Sequence, residues 1–458
     1  MRLIECLATT GPLAELFSDH SVVQAMLEFE AALARAEAGL GVIPADAADA
    51  ITAVARNGFD ADSISEWAND TLRTGTPAIP LISALTARVR SQHPAAAGFV
   101  HWGATSQDVC DTAMVLLLRK AQSILAADLQ RLEQALRQLA ERHEHTVMVG
   151  RTLLQPAPPV TFGLKAAGWL GALQRSHQRL NAAFHETLVL QFGGASGTVA
   201  GLGTQGVTAG QAMAKDLGLG YPDAPWHAQR DRLAALLCAC GVLTGALGKM
   251  ARDISLLMQA EIAEAAEGAK PGRGGSSTMP HKRNPVGCVV TLAAADRVPA
   301  LVSSFLSGMV QEHERAAGGW QAEWPVIAGV IQATGVASAA MAEVMTSLTV
   351  NEARMRSNLD ATRGVIFAEK AMLLLGKKLG RDKAFKIVED ATRQCLQQDR
   401  KLSEVLAGMP EAKDHLDAAT LRDLEKPEQY LGVADEFRKR LLASHHRMSP
   451  GNKNDEQE

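Results

Sequence analysis

Apolar residues recur at steps of three and four along two long stretches of the chain. The first stripe consists of Leu118, Ala121, Leu125, Leu129, Leu132, Leu136 and Leu139. The second extends over about six helical turns and consists of Leu236, Cys240, Leu243, Leu247, Met250, Ile254 and Leu257. Such a stripe is typical of a helix that packs lengthwise on other helices. The pattern therefore predicts long antiparallel helices in a bundle.

The second stripe is accompanied by Gly241, Gly245 and Gly248, which would let neighbouring helices approach closely. No stretch alternates apolar and polar residues for long enough to predict a substantial sheet. The stripes are long for a monomer, and a stripe that continues around the helix is buried at a subunit interface. We therefore predict an all-α fold and a homo-oligomer.

Turn-forming residues divide the helical pattern into three parts. Shorter helices broken by glycine and proline predict an N-terminal helical domain over residues 1–110. The long helices predict a central bundle domain over residues 111–350, and a helical C-terminal domain is expected over residues 351–448. Residues 449–458 lack apolar anchors and are predicted to form a disordered tail.

Composition supports helices and narrows the class of function. Of the 458 residues, 47% are hydrophobic but only 4% are aromatic, which favours closely packed alanine and leucine helices. The net charge of -4 gives no reason to expect nucleic acid or an acidic membrane surface as a partner. No segment reaches roughly 18 uninterrupted apolar residues, and no apolar run follows a basic start. We therefore predict a cytoplasmic protein without a membrane span.

The six cysteines are scattered, and none lies in a CxxC pair or beside a histidine at metal-ligand spacing. Cys238 and Cys240 would project in different directions from a helix and make a poor chelate. Free thiols in a reducing compartment fit this pattern best. No carboxylate cluster with metal spacing is evident, so we predict no metal, no cofactor and an activity unaffected by EDTA.

The densest group of reactive side chains lies in the loop GRGGSSTMPHKRNP, residues 272–285. Its glycines let the backbone approach a ligand closely, and Ser276 and Ser277 bring hydroxyl groups. Lys282, Arg283 and Asn284 supply two cations and an amide suited to gripping and polarising a carboxylate. We predict that the loop closes over a small polyanion, although a solvated basic surface loop is the alternative interpretation.

The string GSSTMPHKRNP within this loop resembles the signature of the fumarase/aspartase superfamily, which includes class II fumarases and the argininosuccinate and adenylosuccinate lyases. Further segments match in chain order: HWGATSQDVCDTA from residue 101, GRTLLQPA from residue 150, QFGGASGT from residue 191, WHAQRDR from residue 226 and QEHERAAGGWQAEW from residue 311. Together they are most similar to the bacterial 3-carboxy-cis,cis-muconate cycloisomerases, the lactonising enzymes of protocatechuate breakdown. The resemblance implies an all-α, three-domain subunit with a long central helix bundle, and a homotetramer whose active sites are shared between subunits.

The resemblance also implies roles for individual residues. Ser276 matches the residue that transfers the proton, and Lys282 matches a catalytic cation that contacts a substrate carboxylate. The positions that it places around the substrate are His101, Thr105, Ser106, Arg151, Thr152, Gln155, Ser277, Asn284 and Arg315. A core histidine at 101 and a structural ion pair at 315 are the alternatives, and the roles of His227, Arg230 and His281 stay open.

The chain departs from many superfamily members at two positions. Where they read GRTH, with the histidine acting on the leaving group, this chain has Leu153, and it has Val289 where a glutamate supports that histidine. A leaving hydroxide or amide anion needs a general acid, worth about 10²- to 10⁴-fold. A carboxylate, whose conjugate acid has a pKa of about 4, departs or attacks as the bare anion. The two absences therefore favour lactonisation of a muconate.

We accordingly predict a cofactor-independent cycloisomerase, an intramolecular lyase that converts 3-carboxy-cis,cis-muconate, or an analogue such as 3-sulfomuconate, to the muconolactone. An adenylosuccinate-lyase-like elimination that releases fumarate is the alternative among enzymes. A catalytically silent structural scaffold is the alternative of another class. The substituent on the muconate, the syn or anti course of addition, the order of loop closure and the influence of Leu153 on substrate range stay open.

Overall fold

Regular structure in this protein is almost entirely helical, which confirms the predicted all-α class. The structure is a computed structural model that describes residues 3–268, 274–275, 278–279 and 282–443. The predicted disordered tail lies outside the described residues.

The α-helices are α1 (Gly11–Leu16), α2 (Asp19–Gly39), α3 (Ala45–Asn57), α4 (Ala61–Thr74), α5 (Ala78–Gln92), α6 (Ser106–Arg142), α7 (Phe162–Thr187), α8 (Gly206–Leu217), α9 (Asp231–Leu257), α10 (Val286–Ser307), α11 (Gly319–Ser347), α12 (Glu352–Asp360), α13 (Ala368–Leu379), α14 (Arg381–Gln398), α15 (Leu402–Gly408), α16 (Pro410–Lys413), α17 (Ala418–Leu424) and α18 (Ala434–Ala443). Short 3₁₀ turns lie at Leu3–Glu5, Pro94–Phe99, Ala200–Gln205, Val365–Phe367 and Pro427–Tyr430. The strands are β1 (Val147–Thr152), β2 (Gln155–Thr161), β3 (Ala265–Ala266) and β4 (Thr349–Val350), and they form the antiparallel pairs β1–β2 and β3–β4.

The two apolar stripes predicted from the sequence are buried along their whole length. All residues of the first stripe lie in α6, those of the second lie in α9, and none is more than 5% exposed. A period of three and four places these side chains on one face of each helix, so burying that face drives the packing. The prediction of long packed helices is confirmed.

Helices α9 and α10 run in opposite directions. Gly248 lies against Ala295, where an added Cβ atom would come within 2.6 Å of the alanine Cβ, and Gly241 lies against Val302. From Gly241 to Gly248, towards the C-terminus of α9, the contacted residue of α10 moves from Val302 to Ala295, towards the N-terminus of α10. The predicted close approach is confirmed at Gly248. At Gly245 nothing among the described residues lies within 4 Å of an added Cβ atom, so a close approach there stays a prediction.

The chain divides into two compact units. The first comprises Met1–Gln130, Ser176–Gly248 and Val290–Ala340, and the second comprises Arg131–Arg175, Lys249–Val289 and Met341–Glu458. The division into three sequence domains stays a prediction.

The first unit is organised around α2, which packs against α3 and α8. Ser18 caps the start of α2 by accepting a hydrogen bond from the Ser21 amide, which satisfies one of the free amides of the first turn. Gly335 of α11 lies directly against Leu13 of α1, whose side chain occupies the space that a Cβ atom at 335 would need.

The second unit contains the β1–β2 hairpin and the C-terminal helices. Helix α12 packs on β1, and α13 packs on α14. A continuous apolar core joins this region, and its large members include Phe367, Leu375, Ile387, Leu402 and Leu406. Strand β1 reaches the same core through Val149.

Three described helices, α9, α10 and α11, are long and apolar enough to cross a membrane when judged by length and composition alone. The most apolar 18-residue segment of α9 is 61% buried inside the chain, and that of α11 is 78% buried, as expected for bundle helices. The corresponding segment of α10 is only 39% buried. The absence of a membrane span stays a prediction, and α10 has apolar surface left to cover.

Candidate active site

Motif segments that are far apart in the chain meet in a buried ion-pair network of the first unit. Arg230 lies 2.7 Å from an oxygen of Asp111 and 2.7 Å from an oxygen of Glu323. Trp320 donates its indole N–H to Asp111 at 3.0 Å, and the Gln311 side chain donates to Glu323 at 2.8 Å. Arg230 therefore ties the HWGATSQDVCDTA, WHAQRDR and QEHERAAGGWQAEW segments together.

Electrostatics keep this guanidinium charged. Burial by itself lowers the pKa of Arg230, but Asp111 and Glu323 raise it above its ordinary value. Burial raises the pKa of Glu323, and Arg230 opposes that effect. Removing one partner of a buried ion pair typically costs about 3–5 kcal/mol, because the other charge is left uncompensated. Arg230, whose role the sequence left open, thus has a structural role.

Asp108 organises the glycine turn of the QFGGASGT segment. Its two carboxylate oxygens accept hydrogen bonds from the Gly193 and Gly194 amides, each at 2.9 Å. His227 Nε2 lies 2.7 Å from Asp108 Oδ1, and the Thr105 amide donates to Oδ2 at 3.1 Å. The buried carboxylate therefore holds Thr105 in place relative to the glycine turn, and His227 contributes to that arrangement.

Arg315 contacts the same turn. Its Nη1 donates to the Thr105 hydroxyl at 3.0 Å, and its Nη2 donates to the Gly194 and Ala195 carbonyls at 3.1 and 2.9 Å. These hydrogen bonds link the segment around Thr105 to the glycine turn. The structure thus shows Arg315 positioning Thr105, while its contact with substrate stays a prediction.

His101 adopts a left-handed backbone conformation, with φ of 58°, which is uncommon for a residue other than glycine. Its Nδ1 lies 2.6 Å from Glu30 Oε1, and the Glu30 side chain is fully buried. Burial lowers the pKa of His101, but Glu30 and Asp108 raise it more, so the imidazolium persists above its ordinary pKa. Contact between His101 and substrate stays a prediction.

Glu30 is a site residue that the sequence motifs missed. It lies on α2, 71 residues before His101, in the apolar run EFEAAL. The sequence offers one indication of its role, which is a charged residue between the core positions Phe29 and Ala31. Carboxylates are seldom fully buried without a partner, so such a residue is expected to pair with another polar group. The sequence alone could not identify the partner.

Thr105 and Ser106 lie at the start of α6, a helix of 37 residues. The N-terminus of a helix presents free amides and the positive end of the helix dipole, which favour an anion. Both residues are partly exposed. His101, Thr105, Ser106 and Arg315 are thus brought together in the first unit.

The second unit carries the GRTLLQPA segment as the β1–β2 hairpin. Thr152 pairs with Gln155, and the turn between them consists of Leu153 and Leu154. Both leucines have positive φ, 50° and 65°, as in a type I′ turn, which glycine and asparagine normally favour. Leu153 is 96% exposed, and Thr152 and Gln155 are also exposed. Strained backbone therefore holds two apolar side chains outward at the hairpin tip.

Arg151 anchors this hairpin. Its two terminal nitrogens lie 2.9 and 2.7 Å from the two carboxylate oxygens of Glu264, and the Asn358 amide donates to the same carboxylate at 2.8 Å. Such a bidentate pair fixes both side chains. Glu264 already accepts hydrogen bonds from both of these nitrogens, whereas Thr152 and Gln155 at the hairpin tip are exposed. Contact between Arg151 and substrate stays a prediction.

The described parts of the signature loop are held at both of its ends. Glu267 accepts hydrogen bonds from the Gly287 and Cys288 amides at 3.1 and 2.8 Å, at the start of α10. The Asn284 amide donates to the Gly274 carbonyl at 2.8 Å, and Gly274 has a φ of 71°. A side chain at 274 would meet the Asn284 carbonyl, so this closure requires glycine.

Lys282 is exposed and Asn284 is partly exposed. Val289, in the first turn of α10, is 53% exposed. The predicted residues Ser276, Ser277 and His281 lie outside the described residues, so their roles stay predictions.

The described residues contain no group of three or more His, Cys, Asp or Glu side chains arranged to hold a metal ion. All six cysteines are free thiols, three of them buried and Cys6 exposed. The predicted independence from metal and cofactor stays a prediction.

Comparison with known proteins identifies the family. The family profile described as lyase matches residues 5–300, and the profile of the adenylosuccinate lyase C-terminus matches residues 364–441. The chain belongs to the lyase family of the fumarase/aspartase superfamily. The resemblance found in the motifs is thereby confirmed.

This lyase is similar to its relatives over nearly its whole length. It is 46% identical, over 93% of the chain and 94% of the relative, to 3-carboxy-cis,cis-muconate cycloisomerase of Bradyrhizobium diazoefficiens. The crystal structure of the 3-carboxy-cis,cis-muconate lactonizing enzyme from Pseudomonas putida matches with a TM-score of 0.91 and 42% identity, covering 98% of this chain and 99% of that one. Nitrosuccinate lyase of Streptomyces davaonensis is 40% identical over 92% of this chain and 90% of the relative.

Proposed function

We propose that this lyase is a cycloisomerase that lactonises 3-carboxy-cis,cis-muconate to 4-carboxymuconolactone in protocatechuate-type aromatic catabolism. The observation that carries the proposal is the high identity to the Bradyrhizobium cycloisomerase, which extends over nearly all of both chains. The structural likeness to the Pseudomonas lactonizing enzyme supports the same reaction.

The absence of the histidine and glutamate that act on the leaving group in many superfamily members supports this reaction independently. Leu153 is at the exposed tip of the β1–β2 hairpin, and Val289 is half exposed on α10. Neither side chain can hold or transfer a proton. A reaction in which a carboxylate attacks or leaves needs no such relay, because the carboxylate is stable as the bare anion at neutral pH.

The mechanism begins with attack by a carboxylate oxygen of the substrate on the alkene carbon β to another carboxylate. The new C–O bond closes the lactone, and the alkene electron pair moves to the α-carbon and into its carboxylate, which becomes an aci-carboxylate. Lys282 and Asn284 stabilise that charge, since preorganised donors make the largest catalytic contribution. Ser276 delivers a proton to the α-carbon and recovers one from solvent.

The first unit supplies a second set of groups for substrate carboxylates. His101 is held as a cation by Glu30, and the N-terminus of α6 presents free amides beside Thr105 and Ser106. We propose that this set binds a carboxylate of the substrate.

Decay of the muconate ultraviolet absorbance tests the function directly. We expect rapid decay with 3-carboxy-cis,cis-muconate in the presence of EDTA, and the 3-sulfo analogue run in parallel identifies the preferred substituent. Ser276→Ala should lower turnover by about 10²-fold or more with substrate binding nearly intact. Ser277→Ala is the matched control, and it should raise KM while retaining turnover. Near-wild-type turnover of Ser276→Ala would exclude its role in proton transfer.

A second candidate is an elimination that releases fumarate. The similarity to nitrosuccinate lyase favours a weakly basic leaving group, which also needs no relay, over the nitrogen leaving group of adenylosuccinate. Fumarate formation from nitrosuccinate and from adenylosuccinate, measured beside muconate decay, distinguishes these reactions. Absence of turnover with every substrate would instead support the silent scaffold.

We propose a homotetramer in the cytoplasm, with active sites shared between subunits. The apolar surface that α10 leaves exposed supports burial against another subunit. Cell fractionation tests the compartment, because a membrane protein would sediment with the membranes.

A further inference from the structure

A cleft in the first unit lies outside all of the motif segments. It has a volume of about 290 Å³ and is bounded by residues of α2, α3, α6 and α8. This volume is at the lower end of the range for small-molecule sites. Its occupant would therefore be a small metabolite.

Some of the charges on the cleft wall neutralise one another. Arg35 Nε lies 3.1 Å from Asp216 Oδ2, which joins α2 to α8. Glu28 on the same helix lies 3.5 Å from the amine of Lys120. Both carboxylates that line the cleft thus have a cationic partner.

Two guanidinium groups on the wall have no carboxylate partner within the described part of the chain. Arg56 on α3 is exposed and makes no hydrogen bond or ion pair there. Arg119 on α6 donates through Nη1 to the Leu217 and Gly218 carbonyls, the latter at 3.2 Å, at the end of α8. The cleft therefore has an excess of positive charge, contributed by two different helices.

The remaining wall is partly polar and partly apolar. Thr52 contributes a buried hydroxyl without a hydrogen-bond partner among the described residues. Leu27, Ala31 and Ala55 contribute hydrocarbon surface. An inorganic anion would leave that surface without a contact, whereas the carbon chain of an organic anion would cover it.

We propose that this cleft is a binding site for a small dicarboxylate, distinct from the motif residues. One carboxylate binds Arg56 and the other binds Arg119, because guanidinium groups pair with carboxylates through strong charge-assisted hydrogen bonds. The carbon chain packs on Leu27, Ala31 and Ala55, and the Thr52 hydroxyl donates to a carboxylate oxygen. The site would be occupied whether or not the protein lactonises muconates.

Isothermal titration calorimetry of the full chain with adipate tests the proposal. We expect saturable binding to the wild type, and a loss of affinity of about tenfold or more in Arg56→Ala, because one charge-assisted contact is removed. The matched control is Arg90→Ala, which removes an exposed arginine of α5 outside the cleft and should leave affinity unchanged. Thr52→Val, which keeps the side-chain shape, should also weaken binding.

Three outcomes would overturn the site. No saturable heat with the wild type would exclude a dicarboxylate. Equal affinity in the wild type and in Arg56→Ala would assign the binding to another part of the molecule. Inorganic phosphate that binds as tightly as adipate, with the same dependence on Arg56, would show that the cleft selects negative charge alone and that the apolar wall has no role.

Discussion

At the scale of single residues, the contact with Glu30 decides the charge of His101, which is predicted to bind the substrate. Glu30 is fully buried, and its other carboxylate oxygen has no hydrogen-bond partner among the described residues. The carboxylate therefore acts mainly on His101, which it keeps protonated and fixed through Nδ1. Glu30 is a positioning residue, because it acts on the substrate through the imidazolium.

Glu30→Gln tests this role. Removing the carboxylate lowers the pKa of His101, so the imidazolium is lost at a lower pH. We expect the basic limb of kcat/KM to shift to lower pH, because Glu30 raises the pKa of His101, with KM rising more than kcat falls. A pH series of muconate turnover measures the shift.

The control for that series is Glu28→Gln on the same helix, whose carboxylate contacts Lys120 instead. It should leave the basic limb in place. A Glu30→Gln protein with an unshifted limb would mean that Glu30 serves folding only.

At the scale of elements, one close contact sets the spacing between α9 and α10. Gly248 has no room for a Cβ atom, because the Ala295 Cβ would be 2.6 Å away. Gly168, in the interior of α7, has no atom of the described structure within 4 Å of an added Cβ atom. The same substitution therefore has opposite consequences at these two helical glycines.

We expect Gly168→Ala to raise the free energy of unfolding by up to about 1 kcal/mol, since alanine favours helix more than glycine does. Gly248→Ala should lower it by about 1–3 kcal/mol through overpacking. Urea denaturation measures both. A stabilising Gly248→Ala would show that α10 moves away at little cost.

Periodicity predicts which face of each long helix is buried, as the stripes of α6 and α9 demonstrate. It does not identify the helix that packs against that face, because an apolar face can be buried against any other apolar face. Motifs likewise predicted His101, Thr105 and Arg315 as a group, and the structure brings them together in one unit. Their partners Glu30 and Gly194 could not be predicted, since contacts between distant parts of the chain leave no local spacing.

At the scale of the whole molecule, stability should depend on pH through Glu37. Its carboxylate oxygens are buried without hydrogen-bond partners in the described structure. Burial, and secondarily the charge of Glu30, raise the pKa of Glu37 from 4.5 to about 8. The folded protein therefore retains a proton between these values that the unfolded chain has released.

Binding a proton only in the folded state means that stability falls as pH rises through this window, by about 1 kcal/mol per pH unit. We expect Glu37→Gln to flatten the fall, because the amide does not titrate. Thermal unfolding from pH 5 to 8 measures it, with Glu66→Gln, an exposed carboxylate, as the control. Parallel pH curves for wild type and Glu37→Gln would contradict this assignment.

One face of α9 is left uncovered by the described part of the chain, and this face is a candidate for contact with a second subunit. Among the described residues, nothing lies within 4 Å of a Cβ atom added at Gly245, and Val242, one turn earlier, is 52% exposed. A helix that presents a glycine next to an exposed valine is suited to close approach by another helix. The approach that the sequence predicts at Gly245 would then be made by a second subunit.

Val242→Glu should therefore place a charge in the subunit interface and lower the mass of the assembly, since an unpaired buried carboxylate is strongly disfavoured. Val207→Glu makes the same change at a 59% exposed valine of α8 and should leave the mass unchanged. Light scattering after size-exclusion chromatography measures the mass, and muconate turnover should fall with it if the sites are shared. An intact tetramer in Val242→Glu would place the interface on another face, of which exposed α10 is the next candidate.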